Sequence, residues 1–526
     1  MNRILFKNQA QSDWPCLLQR QLCLLKDIEP GQRILVRLPN QPILAATMIA
    51  AYQRGVVALP LDPLLGAERY AFIKDHSQAA GEVTVEGLSI FGKNEPSPAN
   101  DRLMIYTSGT TGNPKGVVLT AENIRENALA VASLHDFSGK SHATCLPMWH
   151  VNALCMSVFG TYFSGGTLML SESYDPHDYF TQCAEHGIRT ASLVPALIRR
   201  LVEAKPKWPD SLDYIITAAA PLSQQVATEF YALYGARLRQ GYGLSEATNF
   251  SFVSPRFDDV GFRRHYVDNY PPVGLPLPGT EYRLIGSEVQ VRGSNVMRCY
   301  WRNPEATEQT FDGDWLKTGD QGIVRDGLLI LTGRIKEILL RGGESIAPVE
   351  VEEEMRWKGM KSDFIVLGIE SEALGQEVGI VAPKIDLPHI FAVTKNLSPK
   401  FRPVYIEEGL IRSTSTGKPQ RRHMALGLKV CTGEKSGQGI ADYLCQHHPI
   451  LSTAKKVTLI KYEGGPLSLL VESLAGDGIL INEVTAQLAI REEIVANLRL
   501  AGVSRWGLFI LRDGGHDKGS LFWAVK

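Results

Sequence analysis

The stretch TSGTTGNPKG, residues 107–116, holds three glycines, four hydroxyl side chains, one proline and one lysine within ten positions. These residue types favour turns over a helix interior and cannot fill a core. The strand-like LMIYTSG leads into the stretch and a helical pattern begins at Ala121, so we expect a loop between a strand and a helix. Its N–H groups and hydroxyls would hold a phosphate, and the helix dipole would add to the attraction. A flexible surface turn is the alternative.

The composition is that of a globular protein with two or three domains. Of the 526 residues, 44% are hydrophobic and 21% are charged, so the chain can bury a sizeable core. A net charge of −1 gives no general attraction to nucleic acid or to an acidic membrane. The eight cysteines form no CxxC pair, and the amino terminus lacks the apolar region of a signal peptide. We therefore expect a reducing, cytoplasmic location and no nucleic-acid partner.

The longest apolar run, ILAATMIAAY at residues 43–52, is about half as long as the ~20 residues that span a bilayer. We predict a buried helix here and no stable insertion into a membrane.

Apolar β-rich runs alternate with helical patterns from about residue 32 to residue 330, which predicts an α/β fold with largely parallel sheets. A small β subdomain is expected at its end. We place a large domain at residues 1–335, a small α+β domain at 336–424, and an extra α+β unit of unknown role at 425–526. In that last unit, residues 482–502 have an Asn cap and apolar positions at helical spacing, and two strand-like segments follow.

The segment YTSGTTGNPKGVVLT, residues 106–120, resembles the phosphate loop of the acyl-adenylate-forming superfamily. This superfamily includes acyl- and aryl-CoA synthetases, the adenylation domains of nonribosomal peptide synthetases, and luciferases. Segments that resemble its other motifs follow in the same order: PMWHVNAL (147–154), TAAAPLS (217–223), QGYGLSEAT (240–248), WLKTGDQG (315–322), TGRIKEILLRGGESIAPVEVEE (332–353) and STSTGKPQRR (413–422). The resemblance implies that residues 1–335 bind AMP and that residues 336–424 form a mobile adenylation subdomain hinged to them.

The resemblance also implies a reaction in two halves. A carboxylate attacks the α-phosphate of ATP and pyrophosphate leaves; the acyl group then passes to a thiol. The implied nucleotide-binding residues are Thr107, Ser108, Gly109, Thr110, Thr111, Gly112, Ala218, Ala219, Ala220, Tyr242, Gly243, Ser245, Asp320 and Arg334. Glu246 and Thr110 would hold Mg²⁺ between phosphate oxygens.

Four residues are the implied catalytic groups: Lys115, His150, Glu246 and Lys418. Lys115 would lie beside the phosphates, and Lys418 would bridge the carboxylate and the α-phosphate in the first half-reaction. His150 would gate the acyl site, although a hydrogen-bonded core histidine is the alternative.

The second half-reaction needs Lys418 to leave, and the family does this by rotating its small domain about one residue, here Lys336. The rotation would open a tunnel for the pantetheine thiol, lined in part by Gly342 and Gly343. A plain hairpin turn is the other interpretation of these two glycines.

The substrate is expected to be a small acyl or aryl carboxylic acid. Amino-acid-activating relatives usually carry an Asp just after the PMWHVNAL-type motif, whereas this chain has Asn152 and no acid there. An unpaired buried ammonium would be costly, so an α-amino acid is disfavoured. The acceptor is expected to be CoA, with the phosphopantetheine of a separate acyl carrier protein as the alternative. A degenerate nucleotide-binding protein is a third hypothesis, and a homodimer is left open.

Overall fold

A computed structural model gives the structure of the protein. It describes residues 3–6, 14–107, 114–360, 363–371, 374–384, 386–411, 421–425, 429–430, 456–461, 478–484, 505–513 and 516–525. The chain forms two compact units, Met1–Leu331 and Thr332–Lys526.

Strands and short helices alternate through the first unit. In chain order its strands are β1 (Arg3–Phe6), β2 (Arg33–Val36), β3 (Val57–Pro60), β4 (Gly81–Thr84), β5 (Gly87–Ile90), β6 (Asp101–Thr107), β7 (Lys115–Thr120), β8 (Ser141–Thr144), β9 (Thr167–Leu170), β10 (Thr190–Leu193), β11 (Tyr214–Thr217), β12 (Leu238–Gly243), β13 (Phe250–Val253), β14 (Leu275–Pro276), β15 (Thr280–Ile285), β16 (Glu288–Gly293), β17 (Cys299–Tyr300), β18 (Phe311–Asp312), β19 (Trp315–Arg325) and β20 (Leu328–Arg334), which runs across the boundary. Its α-helices are α1 (Trp14–Leu24), α2 (Pro42–Arg54), α3 (Ala67–Ser77), α4 (Ala121–Leu134), α5 (Gly160–Ser164), α6 (Pro176–Glu185), α7 (Pro195–Ala204), α8 (Gln224–Tyr234), α9 (Asp259–Phe262) and α10 (Pro304–Thr310). Two π-helices, Asn152–Phe159 and Arg263–Val267, and the 3₁₀ helix Ser245–Ala247 complete the unit.

Three sheets organise these elements. A seven-stranded sheet has the order β17-β7-β6-β3-β2-β4-β5, and its centre, from β6 to β4, is parallel. An eight-stranded sheet has the order β1-β9-β8-β10-β11-β12-β13-β14 and is parallel from β1 to β12. A five-stranded antiparallel sheet contains β15, β16, β19, β18 and β20. The predicted α/β class, with largely parallel sheets and a smaller β subdomain, is confirmed.

Both faces of the parallel strands are buried, which is why their sequences read as continuous apolar runs. In β2, Ile34 belongs to the main core shared with the eight-stranded sheet, whereas Leu35 faces a second apolar cluster. In β11, Ile215 belongs to the main core and Ile216 to a third cluster. The predicted buried helix is α2: Pro42 stands in its first turn, and Gly55 ends it in the left-handed conformation at φ 74°.

A buried arginine, Arg33, joins the start of β2 to the segment that leads toward β6. Its side chain is 1% exposed, and its guanidinium lies 4.4 Å from the ring centroid of Trp301. It donates hydrogen bonds to the carbonyls of Ser77 (2.6 Å), Gln78 (3.3 Å) and Glu95 (2.9 Å) and to Oγ of Ser97 (2.9 Å). The planar fork of donors therefore satisfies backbone oxygens that no secondary structure satisfies.

The second unit is built on one ten-stranded sheet. Its strands are β21 (Leu339–Arg341), β22 (Glu344–Ile346), β23 (Ile365–Ser371), β24 (Gly375–Ala382), β25 (Tyr405–Glu408), β26 (Lys429–Val430), β27 (Lys456–Lys461), β28 (Gly478–Val484), β29 (Arg505–Asp513) and β30 (His516–Val525). Its described helices are α11 (Pro348–Trp357), α12 (Leu387–Lys395), α13 (Arg421–Ala425) and the 3₁₀ turns Ile335–Glu337 and Pro399–Phe401.

Strands from the carboxyl-terminal hundred or so residues extend the sheet of the small domain. β29 pairs antiparallel with β25, opposing Phe509 to Tyr405. The separation of residues 425–526 from 336–424 as independent domains therefore stays a prediction. The prediction of a helix over residues 482–502 is wrong at its start, because Asn482–Val484 pair with β30. The hydrogen bonds between these two strands override the Asn-cap signal. The rest of the predicted helix, residues 485–502, lies outside the described part of the chain.

We predict that Arg33→Met lowers the free energy of unfolding by about 3 kcal/mol, because it removes the donors to two buried acceptors, the carbonyl of Ser77 and Oγ of Ser97. Urea denaturation of the purified chain measures the change. Arg20→Met is the matched control, since Arg20 is exposed on α1 and should change stability by less than about 0.5 kcal/mol. Equal effects of the two substitutions would show that Arg33 is dispensable.

Candidate active site

Residues 108–114 connect two antiparallel strands. Thr107 is the last residue of β6 and Lys115 the first of β7, and the two oppose each other in the ladder. The predicted phosphate-binding residues Ser108, Gly109, Thr110, Thr111 and Gly112 lie outside the described residues.

The expectation that this loop enters a helix is wrong. The six-residue strand β7 separates the loop from α4. The amino terminus of α4 is moreover capped by its own chain, because Thr120 accepts from the N–H of Asn123 and the Asn123 side chain accepts from the N–H of Thr120. The α4 dipole therefore adds nothing direct at the loop, since its effect falls off within one turn.

Lys115 and Glu246 are brought together by a residue that we did not predict, Tyr300. The ammonium of Lys115 lies 4.8 Å from the centroid of the Tyr300 ring, within range of a cation–π contact. The Tyr300 hydroxyl donates to Oε1 of Glu246 at 2.8 Å. Burial and the Glu246 carboxylate raise the pKa of Tyr300, and a hydrogen bond with Thr310 opposes them, so the phenol stays protonated and donates.

Glu246 stands in the 3₁₀ helix Ser245–Ala247, which directly follows the turn after β12. Its backbone carbonyl accepts from the N–H of Met297 at 2.7 Å, which ties this turn to the segment before Tyr300. Within the described part of the chain, its second carboxylate oxygen has no protein hydrogen-bond partner. The residue is half-buried, so that oxygen can meet a cation without full desolvation of the carboxylate.

Tyr242 and Asp320 join two of the sheets. The Tyr242 hydroxyl donates to Oδ2 of Asp320 at 2.7 Å, although Tyr242 lies on β12 and Asp320 on β19. Both side chains are buried, at 8% and 5% exposure, and the Asp320 N–H donates to Oγ1 of Thr318 at 3.1 Å. The carboxylate is therefore held in one orientation by the phenol.

The turn that follows β12 and leads from Tyr242 to Glu246 depends on a close backbone approach at Gly243. A Cβ at this position would lie 1.5 Å from the carbonyl oxygen of Asn249, so only glycine fits. A few residues on, Thr248 has φ 65°, which is a strained value for a β-branched residue, and its hydroxyl donates to the carbonyl of Asn295 at 2.6 Å. Strain and a tight approach together fix the direction of the segment that carries Glu246.

The carboxyl end of β11 is followed by three predicted nucleotide-binding residues, Ala218, Ala219 and Ala220. Ligands commonly bind at this edge of a parallel sheet. Ala218 is buried and Ala219 is exposed, with a left-handed φ of 72°. The backbone of Ala219 thus has a conformation that glycine would adopt more easily.

His150 and Asn152 lie where the chain passes from β8 into a π-helix. Burial lowers the pKa of His150, and nearby Asp62 opposes the shift. Asn152 begins the π-helix Asn152–Phe159, all of whose residues are buried, and its Oδ1 is buried without a partner among the described residues. No acidic side chain lies between His150 and Cys155, as the sequence indicated.

The remaining predicted residues belong to the second unit. Arg334 ends β20 and is half-buried, and Lys336 is exposed in the 3₁₀ turn that follows. Gly342 and Gly343 form the turn between β21 and β22 with φ of 58° and 85°, values that glycine adopts without strain. Their conformation is thus that of a hairpin turn, and their role at a thiol tunnel stays a prediction. Lys418 lies outside the described residues.

Comparison with known proteins identifies the family. Residues 82–301 match the family model described as AMP-binding enzyme. The probable CoA ligase CCL9 of Humulus lupulus is 30% identical over 466 residues, which cover 77% of this chain and 88% of that protein. The feruloyl-CoA synthase of an Amycolatopsis species is 29% identical over 399 residues, covering 68% and 79%. The chain belongs to the AMP-binding enzymes of the acyl-adenylate-forming superfamily.

The fold of this AMP-binding enzyme is also found in solved relatives. The o-succinylbenzoate-CoA synthetase of Bacillus subtilis, in complex with its acyl-adenylate intermediate, matches with a TM-score of 0.71 at 21% identity, over 80% of this chain and 94% of that one. As a family member the chain is an AMP-forming acid–thiol ligase, which makes an acyl adenylate from ATP and a carboxylate before acyl transfer to a thiol. Among the described residues, no helix combines the length and the apolar character that crossing a membrane requires.

Sequence reasoning missed two residues of this AMP-binding enzyme that hold charged side chains in place: Tyr300, which contacts two residues of the predicted site, and Arg421 in the second unit. Tyr300 stands in MRCYWRN, which carries no catalytic signature, and its partners are far away in the sequence. Arg421 is buried and donates to both oxygens of Glu352 at 2.7 and 2.9 Å and to Glu337 at 3.1 Å, so that these carboxylates raise its pKa against the effect of burial. Arg421 stands three residues after Lys418 and Glu337 directly after Lys336, a spacing that could have drawn attention to them.

We predict that Gly243→Ala destabilises the enzyme by at least about 3 kcal/mol and abolishes ATP binding, because the turn cannot hold both the new methyl group and the Asn249 carbonyl. Thermal unfolding and nucleotide titration measure the two effects. Gly66→Ala is the control, since Gly66 has an ordinary φ of −58° and open space around it. Normal ATP binding by a folded Gly243→Ala variant would contradict the steric argument.

Proposed function

We propose that the chain activates a small acyl or aryl carboxylate with ATP and transfers the acyl group to the thiol of CoA. The observation that carries the proposal is the contact of Lys115 and Glu246 with the two ends of one buried phenol, Tyr300. A cation and a carboxylate held this way beside a Gly/Thr loop suit a triphosphate with its metal ion. Neither a surface turn nor a degenerate site has a reason to retain them.

The first half-reaction is an electrostatic problem, because the carboxylate and the triphosphate are both anions. At a separation of 4 Å and an effective dielectric constant near 20, two unit charges repel by about 4 kcal/mol. We assign Lys115 and the donors of residues 107–112 to the β- and γ-phosphates, where fixed positive charge offsets this repulsion.

Glu246 fits a magnesium ion. Mg²⁺ is usually held by one or two carboxylates with substrate phosphates and water, and one oxygen of Glu246 remains available for it. In the described residues no group of three or more His, Cys, Asp or Glu side chains forms a dedicated cage. When bound, the ion would neutralise phosphate charge; we assign Thr110 as its second protein contact.

The nucleoside end would lie along the Tyr242–Asp320 pair. We assign Tyr242 to the adenine ring, with Ala218, Ala219, Ala220 and Gly243 as the walls beside it. Ser245 would reach the α-phosphate. Asp320 and Arg334 would bind the ribose hydroxyls, with the Asp320 carboxylate oriented by its hydrogen bond from Tyr242.

Lys418 would complete the first half-reaction by binding the carboxylate and the α-phosphate together. In the second half-reaction the small domain would turn about Lys336 and remove Lys418. The thiol would then enter past Gly342 and Gly343. The exposed position of Lys336 in a short 3₁₀ turn supports a hinge, because few contacts resist a change of its backbone angles.

The acyl site would lie by His150 and Asn152. Burial lowers the pKa of His150, so a neutral imidazole would gate the site without adding charge. Oδ1 of Asn152 has no partner among the described residues; it can accept a hydrogen bond but cannot neutralise an ammonium, which favours an acyl or aryl acid over an amino acid. The feruloyl-CoA synthase relative acts, by its name, on an aromatic acid.

CoA is the proposed acceptor because several relatives are named CoA ligases or synthases. A separate acyl carrier protein is the second candidate, favoured by the strands that extend the small domain's sheet and could serve in docking. We also propose that the enzyme is cytoplasmic and forms a homodimer.

We predict carboxylate-dependent exchange of labelled pyrophosphate into ATP, measured against a panel of aliphatic, aromatic and amino acids. Small aliphatic or aromatic acids should stimulate exchange at least tenfold over the acid-free rate, while α-amino acids should not. Strongest exchange with an amino acid would overturn the substrate assignment, and ATP binding with no exchange for any acid would favour a degenerate protein.

We predict that Lys418→Ala abolishes exchange but leaves transfer from preformed acyl adenylate to CoA largely intact, because only the first half-reaction brings two anions together. Lys395→Ala, an exposed lysine of the same unit, is the control and should affect neither step. Equal loss of both steps in the Lys418 variant would count against its role.

The acceptor is tested by trapping the product. With acid and ATP, CoA should yield an acyl thioester at least a hundredfold faster than a pantetheinylated carrier protein from the same organism. The reverse preference would replace CoA by a carrier protein.

A further inference from the structure

Tyr300 touches both charged residues that the proposed function places at the phosphates, although it is itself uncharged. It lies on β17, which pairs antiparallel with β7 and opposes Tyr300 to Val117. Lys115 stands two residues before Val117 and so projects from the same face of β7. An aromatic side chain can reach such a diagonal neighbour, and the ring lies 4.8 Å from the Lys115 ammonium.

The two contacts of Tyr300 use different parts of its side chain. The ring face meets Lys115, whereas the hydroxyl donates to Oε1 of Glu246 at 2.8 Å. Tyr300 is 7% exposed, whereas Lys115 and Glu246 are half-buried, so the phenol shields both contacts in part from water. β17 thereby links the strand that carries Lys115 to the turn that carries Glu246.

We propose that Tyr300 is a positioning residue that sets the Glu246 carboxylate for a divalent cation and the Lys115 ammonium for the phosphates. This inference rests on the proposed function, because it takes the ligand to be a metal-bound triphosphate. The hydroxyl occupies Oε1, so Oε2 of Glu246 is the oxygen presented to the ion. The ring holds the ammonium by its face without offering a competing oxygen acceptor, so N–H donors remain for phosphate oxygens.

The separation of ring and hydroxyl makes the inference testable by binding alone. Tyr300→Phe keeps the ring and removes the hydroxyl, whereas Tyr300→Leu removes both contacts. ATP affinity is measured by isothermal titration calorimetry, once with Mg²⁺ and once in EDTA. Binding of Mn²⁺ to the enzyme–ATP complex is followed by electron paramagnetic resonance.

We expect Tyr300→Phe to weaken Mg²⁺–ATP binding and Mn²⁺ binding by roughly tenfold to a hundredfold, the range of one lost hydrogen bond to a charged group. Its affinity for metal-free ATP should be unchanged, because Lys115 keeps its ring contact. Tyr300→Leu should weaken metal-free binding as well. Equal weakening with and without metal in the Phe variant would overturn the inference.

Two further variants serve as controls: one for a general loss of structure and one for the route through Glu246. Tyr234→Phe removes a comparable hydrogen bond, to the carbonyl of Pro206 at 3.0 Å, and should leave all three affinities unchanged. In a Glu246→Ala background, Tyr300→Phe should cause no additional loss of Mn²⁺ binding, because the hydroxyl acts through Glu246. An additive loss in the double variant would show that Tyr300 acts by another route.

The inference and the proposed function can fail separately. Normal carboxylate-dependent exchange together with metal-independent effects of Tyr300→Phe would reject the role of Tyr300 and retain the function. Absence of exchange for every acid, with the metal-selective response of Tyr300→Phe intact, would reject the function and retain the positioning of Glu246.

Discussion

The close approach of the Asn249 carbonyl to Gly243 is the constraint on which the predicted site depends. Because no side chain fits there, β12 can turn back on itself at once, and the residues on either side of the turn point in fixed directions. Tyr242, just before it, reaches Asp320 on another sheet. Glu246, just after it, reaches Tyr300 on a third. One steric limit thus aligns groups from three sheets.

These cross-sheet contacts are polar, and they are buried at Tyr242–Asp320 and partly buried at Tyr300–Glu246, which makes their geometry more specific than that of apolar packing. An apolar core tolerates small rearrangements, whereas a buried phenol–carboxylate hydrogen bond leaves an unsatisfied group if the sheets shift. The Tyr242–Asp320 and Tyr300–Glu246 hydrogen bonds therefore fix the positions of the sheets relative to one another. Arg421 has the same character in the second unit, where two carboxylates share one buried guanidinium.

Much of the fold could be predicted from the sequence because its signals are local. The helix that Gly55 ends and the β11 run YIIT depend on neighbouring residues, and the structure has both as expected. Tyr300 could not be predicted, since its meaning comes from the pairing of β17 with β7, nearly two hundred residues earlier. The start of the helix predicted at residue 482 was wrong for the same reason, because ladder bonds to β30 overrode a local cap.

The predicted phosphate loop leads into a strand and not into a helix, so the positive charge that a phosphate would meet there has a different source. A loop that entered a helix would receive part of its attraction for anions from the helix dipole. This loop instead returns into β7, and the amino terminus of α4 is satisfied by Thr120 and Asn123. The cation that directly follows the loop in the sequence is Lys115, at the first position of the returning strand. A side-chain charge needs a support to be held in place, as a dipole does not, and the face of Tyr300 gives that support.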